Sequence, residues 1–533
     1  MWLLLFMLGL SGYSGSKVTY ALFSIVIGAM LVTGFRQKIS YSYLCLTIFL
    51  WLGFWLKLTL HTILNYPFVE PVESFVEEGA EAWDEVLYAA TVGSLGVMTG
   101  NIIFNFVKSH ISAMRGEVKI AVPPWYPKSR KWIWTGLMIT ATTTIFINMK
   151  YGVHLIGLVP RMVLMWPLNA VVAWLLNIEL ATGIAVLLWW DIALKKNTTV
   201  PIYAIIVETF ISSVSVLSRA VYVFHTIPQL WAVFQFKQLL QGGSRTKIIL
   251  FSVTFALLLV ISISAVTTFR NYLYQSGTYS STVYQVNYAH WEVISGTIAF
   301  LESQLDSASL EERVALRKRI SELRLEIQMN ELVLHKEKRK WEESMKSGSR
   351  QYRILMNEFG YQVTDGFFTQ ILYLSVDRWI GLKGLMAVQS YPEKNMGLLE
   401  NALNEKSGAG QIDIYQKISN SIYMESNNSK FRFASLPGAV AFLYYSNSFW
   451  IVMLGMIFFS LAVLVVELII NTVTANPILW SLYGAVLVSN VTQFGVFPLQ
   501  SLKYYLVLSC GIGLVWMVHT DFFYAAFEQA ETF

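Results

Sequence analysis

The chain has 533 residues, of which 55% are hydrophobic, 15% aromatic and only 14% charged, where a soluble domain carries about 25% charged residues. With a mean hydropathy of +0.50, this excludes a soluble globular enzyme and a disordered scaffold, which needs low hydrophobicity and high net charge. What remains is a polytopic membrane protein with one polar region long enough to be a domain, and the small net charge of +5 gives no reason to expect a nucleic-acid partner.

A helix needs about 20 apolar residues to cross the hydrocarbon layer. The opening MWLLLFMLGL lacks the basic start of a secretory leader, so residues 1–13 read as a short first span. Further candidates fall at 17–34, 43–63, 86–107, 132–149, 165–190, 200–218, 220–236, 248–269, 447–470, 477–497 and 503–520, about twelve spans in all. Cys45 and Cys510 both sit in apolar stretches and give no disulfide or metal framework. The expected fold is therefore all-α: residues 1–269 form an N-terminal bundle of about nine spans, 270–446 an outer domain, and 447–533 a C-terminal bundle of about three.

Loop charges set the orientation. Arg36, Lys38, Lys108, Arg115, Lys119, Lys128, Arg130, Lys131, Lys195, Lys196, Lys237, Arg245 and Lys247 all fall on one side if the spans alternate, which is the positive-inside pattern. The loop 64–85, with Glu70, Glu73, Glu77, Glu78, Glu81, Asp84 and Glu85, falls on the other. Both termini are then cytoplasmic and 270–446 lies outside.

Within that outer region, Trp291, Ile294, Ile298, Leu301 and Leu305 recur at steps of three and four, as do Leu316, Ile320, Leu323, Ile327, Asn330 and Leu334. Ser309 and Glu312 between them form a capping box. This pattern predicts an antiparallel coiled-coil hairpin over 284–342, paired within the chain or between subunits. The stretch 370–388 is apolar with three embedded charges and suits a helix at the membrane surface or packed on the mouth of the bundle.

Nucleotide-binding P-loop, G-x-S-x-G, H-E-x-x-H and Cys/His metal signatures are absent from the sequence, so no cofactor is implied. Chemistry is then sought at ionisable groups in or beside the spans, which cost about 2.5–3.5 kcal/mol each in lipid and often mark a site. Lys57 and His61 share one helix face, and either snorkel outward or line an outward cavity. Arg161, bracketed by Pro160 and Pro167 and preceded by His154, suggests an outer-side dip that turns an arginine inward. Glu208 lies in mid-span, with Arg219 expected about three turns later on the same helix face. Asp191, beside Lys195 and Lys196, reads as an interfacial anchor. Asp377, Arg378 and Lys383 fall in the semi-apolar outer stretch, where an arginine fork suits phosphate oxygens.

The blocks SVDRWIGLKGLMAVQSYP (375–392) and FASLPGAVAFLYYSNSFW (433–450) resemble stretches of integral-membrane proteins from bacterial surface-polysaccharide loci. The order of spans and outer loop is similar to that of the O-antigen polymerase and ligase superfamily. The resemblance implies an enzyme of the bacterial inner membrane that polymerises or transfers undecaprenyl-diphosphate-linked oligosaccharide units on the outer face. Its implied partners are that lipid-linked glycan, membrane lipids, and a chain-length regulator or flippase. Carried onto this sequence, Arg161, Arg219 and Arg378 are the diphosphate-binding candidates, with Lys57, His61 and Lys383 as further substrate contacts. Glu208, His154 and Arg378 are the catalytic candidates. The arginine–ten residues–glycine pattern of some polymerase loops is missing here: Val172, Leu230 and Gln389 stand where the glycine would be. The rival classes are a lipid-linked oligosaccharide flippase or transporter, and a non-catalytic assembly protein whose hairpin recruits a partner.

The charge alternation makes a direct prediction. Reporter fusions after Arg130 and Lys196 should behave as cytoplasmic, and fusions near Ala80 and Ser347 as external; an inward-facing Ser347 fusion would overturn the orientation.

Overall fold

The computed structural model describes residues 2–36, 40–64, 75, 79–112, 122–156, 160–196, 198–235, 245–275, 298, 300–305, 312–324, 379–406, 413–419 and 436–519. Every regular element among them is a helix. The principal ones are α1 (Trp2–Gly12), α2 (Lys17–Arg36), α3 (Tyr41–Leu64), α4 (Ala80–Ser112), α5 (Tyr126–Tyr151), α6 (Leu168–Ala193), α7 (Thr199–Ser215), α8 (Arg219–Gln235) and α9 (Arg245–Gln275). After the polar region come α10 (Leu382–Ser390), α11 (Met396–Leu403), α12 (Ile414–Ile418), α13 (Ala439–Tyr444), α14 (Phe449–Thr474), α15 (Pro477–Thr492) and α16 (Pro498–His519).

Each of the twelve apolar segments coincides with one of these helices. Six of the helices (α2, α3, α4, α6, α9 and α14) are long and apolar enough to cross a membrane. Helices α1, α7 and α15 and the apolar part of α16 are shorter, and α8 is a 17-residue helix interrupted by Pro228. A chain with several spanning helices is a membrane protein; the expected number of twelve exceeds what length and apolarity alone give.

The chain divides into two compact units, residues 1–266 with 368–533, and residues 267–367. In the first unit α4 and α14 approach closely because small residues line their contact. A methyl at Gly96 would sit 2.6 Å from the Met453 carbonyl oxygen, and Ser460 Oγ donates to the Val97 carbonyl at 3.2 Å. Small side chains let backbones touch where apolar burial gives no drive between helices in lipid.

Two buried carboxylates pin helix ends. On α14, Glu467 accepts from Ser40 Oγ (2.8 Å) and from the backbone N–H groups of Tyr41 (2.8 Å) and Ser42 (3.1 Å), so it caps α3. Asp191, fully buried on α6, accepts from Arg130 Nε (2.6 Å) and Nη2 (2.7 Å), Tyr126 Oη (2.8 Å) and Trp134 Nε1 (3.2 Å). It is the buried centre of an α5–α6 clamp and not the interfacial anchor that the neighbouring lysines suggested.

The region expected as one outer domain is split. Its later part packs with the membrane helices: Leu382, Lys383, Leu385, Met386, Ala387 and Val388 of α10 are all buried, and Gly384 lies directly on the Pro437 carbonyl. Of the two locations expected for 370–388, the membrane surface and the mouth of the bundle, the described part from Trp379 on excludes the first: it packs against the bundle and is buried more deeply than a helix on the mouth.

In the second unit, Ile298, Ile320 and Leu323 are buried together with Leu301 and Leu305 against them. Glu302 and Arg324 form an ion pair across the same two segments at 2.7 Å. Trp291, Ile294, Ile327, Asn330, Leu334, Ser309 and the expected turn lie outside the described residues, so the contact observed covers only the inner part of the expected 284–342 hairpin.

The α5–α6 clamp generates a prediction. Arg130→Ala leaves a buried carboxylate without its counter-charge and should destabilise by about 3–5 kcal/mol. Asp191→Asn should cost less, because it leaves only a part-exposed guanidinium unpaired. Thermal melting of the detergent-solubilised variants by fluorescence-detected gel filtration measures the order; equal melting temperatures would refute it.

Candidate functional site

The ionisable candidates gather in two neighbourhoods. The first lies where α5 and α7 end and α6 and α8 begin. Gly152 closes α5 in the left-handed conformation (φ 61°), and the described residues 153–156 and 160–167 are not helical. Asn148, fully buried, organises this break: its amide nitrogen donates to the His154 carbonyl (3.0 Å) and to Ser215 O (3.0 Å) and Oγ (2.8 Å). Its amide oxygen accepts from His154 N at 2.7 Å. The Ile156 amide donates to the Val216 carbonyl at 2.9 Å and ties the stretch after α5 to the α7–α8 turn.

His154 is held at its ring as well, with Nε2 2.9 Å from Asn177 Oδ1. Asn177 sits in a π-helical turn of α6, Leu175–Glu179; such turns re-aim a side chain within a helix and recur at functional sites. Burial pulls the His154 imidazole below its usual range, so it is neutral at neutral pH. With Nε2–H donating to Asn177, Nδ1 carries the lone pair that accepts a proton.

Arg161 departs from expectation. Its amide donates to the Gly152 carbonyl at 2.9 Å and its methylenes lie over Gly152, where a methyl would meet Arg161 Cγ at 3.0 Å. The residue is exposed, not turned into the bundle. The prolines break the helix as read, but the loop folds back on the end of α5 and projects the arginine outward.

Glu208 and Arg219 also differ from the sequence reading. The helix does not run through: Leu217 takes a positive φ of 56°, and Ser218 N donates to the Ser213 carbonyl at 2.9 Å. Arg219, partly buried, opens α8, so the shared face disappears. Glu208 stays buried on α7 with Ser212 Oγ 2.6 Å from Oε1, while Oε2 has no partner among the described residues. Ser212 and Ser215 follow on the same face, leading from Glu208 towards Asn148.

The second neighbourhood surrounds Trp379. Lys57 follows a second π-helical turn, Trp51–Leu56, and is buried with its Nζ donating to the Trp379 carbonyl. His61, one turn on, is buried too, and so is Lys383 on α10. The structure thus brings Lys57 and the 379–383 segment together inside the bundle and does not let Lys57 and His61 snorkel. Arg378 and Asp377 lie outside the described residues. The rings of Phe49 and Trp379 stand 5.3 Å apart, and Phe224 on α8 approaches Trp379 at 6.5 Å. Helix α8 therefore starts in the first neighbourhood at Arg219 and touches the second at Phe224.

Sequence reasoning missed three groups. Glu85, at the start of α4, accepts from Tyr444 Oη, from Gln389 Nε2 (3.1 Å) and from Lys394 Nζ (3.2 Å), which ties α4 to the inserted segments. Glu467 was overlooked, although a lone acid in LAVLVVELIINT is what the intramembrane-charge rule picks out. Asn148 gives no sequence signal of its kind. Among the described residues no group of three His, Cys, Asp or Glu side chains is placed to hold a metal ion.

Asp413 and Glu405 converge on α12: Glu405 Oε1 accepts from Ile414 N at 2.7 Å and Asp413 Oδ1 from Gln416 N at 2.8 Å. Burial, and then the charge of Glu405, pushes the Asp413 carboxyl up to about 6. No family model, curated protein or solved structure matches the chain.

The raised Asp413 gives a signed prediction. The folded state holds this proton more tightly than the unfolded one, whose carboxyl titrates near 3.9. Its stabilising contribution is complete below about pH 4 and is lost as pH rises through about 6. Asp413→Asn keeps a good cap and removes the titration. The melting-temperature difference, wild type minus variant, should therefore rise as pH falls from 7 to 4; a flat difference refutes it.

Proposed function

We propose that this is a twelve-span protein of the bacterial inner membrane, with both termini cytoplasmic, that transfers or polymerises undecaprenyl-diphosphate-linked oligosaccharide units on the outer face. The observation that carries the reading is the gathering of His154, Arg161 and Arg219 at one end of α5–α8, the end that alternating loop charges place outside, above the buried acid Glu208.

In this reading the lipid diphosphate is both carrier and leaving group, so no nucleotide site is required. Arg219 and Arg378 hold the diphosphate and stabilise the charge that develops on it as the glycosyl bond breaks. His154 Nδ1, neutral and fixed by Asn177, takes the proton of the acceptor hydroxyl. Lys57, His61 and Lys383 steady the inserted 379–388 segment beside this end, and the exposed Arg161 stands at the entrance. The residues 267–367 supply the outer hairpin, its coiled coil extended to 284–342, as a docking element for a chain-length regulator.

A flippase is the second reading. It is favoured by one feature, the unpartnered Oε2 of Glu208, because translocation pathways retain buried acids with spare hydrogen-bonding capacity.

The experiment is complementation of a deletion strain. A charge-assisted hydrogen bond is worth about 1.5–3 kcal/mol, so Arg219→Ala and Arg378→Ala should slow transfer by about 10–150-fold. Lysine versions should do nearly as badly, since lysine lacks the fork. Surface-glycan profiles from the deletion should show one repeat unit without a ladder. Complete loss of glycan supports flipping, and full rescue by both lysine variants removes the diphosphate assignment.

A further inference from the structure

Residues 160–168 present an unusual surface. Between two helices, and outside either, Val163 is 74% exposed, Met165 81% and Trp166 87%. Met162 and Leu168 are also exposed, while Leu164 alone turns in, against the apolar cluster under α5 and α6. The strap is built and not loose. Arg161 N is tied to the Gly152 carbonyl at 2.9 Å and Leu168 N to the Met165 carbonyl at 2.8 Å, and Leu164 N reaches Asn169 Oδ1 at 3.4 Å.

Two physical arguments fix what covers it. The strap leads directly into α6, a helix long and apolar enough to cross the membrane, so it lies where a span emerges. A tryptophan there, beside other apolar side chains, matches the aromatic belt of a bilayer interface. Backbone without helical hydrogen bonds is not tolerated in the hydrocarbon, so the peptide groups stay at headgroup depth while the side chains reach past it. At that depth stand the Arg161 guanidinium, which has no hydrogen-bond partner among the described residues, and Lys150, whose Nζ lies 5.2 Å over the Tyr151 ring. The Arg161 stem is fixed over Gly152, so the charge is presented in one place.

We propose that residues 160–168 form a lipid-binding strap, with Met162, Val163, Met165 and Trp166 among the acyl chains and Arg161 holding the headgroup phosphate of an anionic phospholipid. This rests on the chain being a membrane protein and not on glycan transfer. It also accounts for an arginine that points away from the bundle.

The test uses the full chain with Cys45 and Cys510 replaced by serine and a single cysteine introduced as Met165→Cys, carrying an environment-sensitive fluorophore, in nanodiscs of phosphatidylcholine with increasing phosphatidylglycerol. The same label at Ile249→Cys, an exposed position on α9, serves as a lipid-facing reference. The expected result is quenching at position 165 by lipid-borne doxyl groups and not by aqueous iodide. Phosphatidylglycerol should further blue-shift position 165 but not position 249. Arg161→Ala should raise the half-maximal phosphatidylglycerol fraction about fivefold, the effect of one basic residue at an anionic surface. If the alanine variant is not monodisperse, Arg161→Gln replaces it with the same expectation. Iodide quenching without doxyl quenching overturns the strap, and an unchanged phosphatidylglycerol response in the arginine variant overturns the headgroup contact. No glycan enters the assay, so its failure leaves the complementation experiment to judge glycan transfer separately.

Discussion

A peptide group or charge in hydrocarbon has no partner except the protein itself, and the architecture follows from that constraint. Where helices are continuous, the backbone satisfies itself. Where the described backbone is not helical, at 152–156 and 160–167, at 379–381 and at 436–438, other groups take over. The Asn148 amide serves four hydrogen bonds at the first break, and Lys57 serves the Trp379 carbonyl at the second. The carbonyls of Ile380 and Pro437 lie against Gly53 and Gly384, positions where any side chain would collide. The inserted segments are thus held by close backbone contact that only glycine permits.

The same constraint sorts the buried acids. Asp191 receives four donors and Glu467 three, with the helix dipole of α3 added in the second case. These acids are saturated, and their chemistry is spent on holding helix ends together. Glu208 has one donor, and its Oε2 has no partner among the described residues. Such a group is retained against a desolvation cost, which separates it from the structural acids on physical grounds and not by position in the sequence.

Much of the fold was legible because hydropathy is a local property. Runs of apolar residues marked twelve of the sixteen principal helices near their observed positions, and the 298–305 and 316–323 spacing marked a real apolar contact. Partnership was not legible, because it is tertiary. In sequence Asp191 stands beside Lys195 and Lys196 and reads as an interfacial anchor, whereas its partner, Arg130, stands 61 residues back. The break at Val216–Ser218 contains neither glycine nor proline, so nothing in SVLSR announced that Glu208 and Arg219 belong to different helices. The 379–446 region reads in sequence as part of the polar domain because it lacks a continuous apolar run of spanning length. Its buried Lys383 and its glycines only make sense once α3 and α4 are beside it.

Helix α8 is the element through which the two neighbourhoods would have to communicate. Its first residue is Arg219, next to the turn that Ile156 pins at Val216. Five residues later Phe224 meets Trp379, whose carbonyl Lys57 holds. A rigid helix transmits a shift at one end to the other within this distance, about 7.5 Å along its axis. Yet α8 is weakened by Pro228, which lies beyond both contacts. Tyr222, within the stretch from Arg219 to Phe224, is buried with its Oη donating to the Phe255 carbonyl at 3.1 Å, so this stretch is held against α9 as well. One turn on, Thr226 Oγ1 lies 2.6 Å from Thr209 Oγ1 and fixes α8 to α7 beside Glu208. Helix α8 thus spans the two neighbourhoods as a packed element, and its contact with α7 falls at the residue next to a buried acid whose Oε2 has no partner among the described residues.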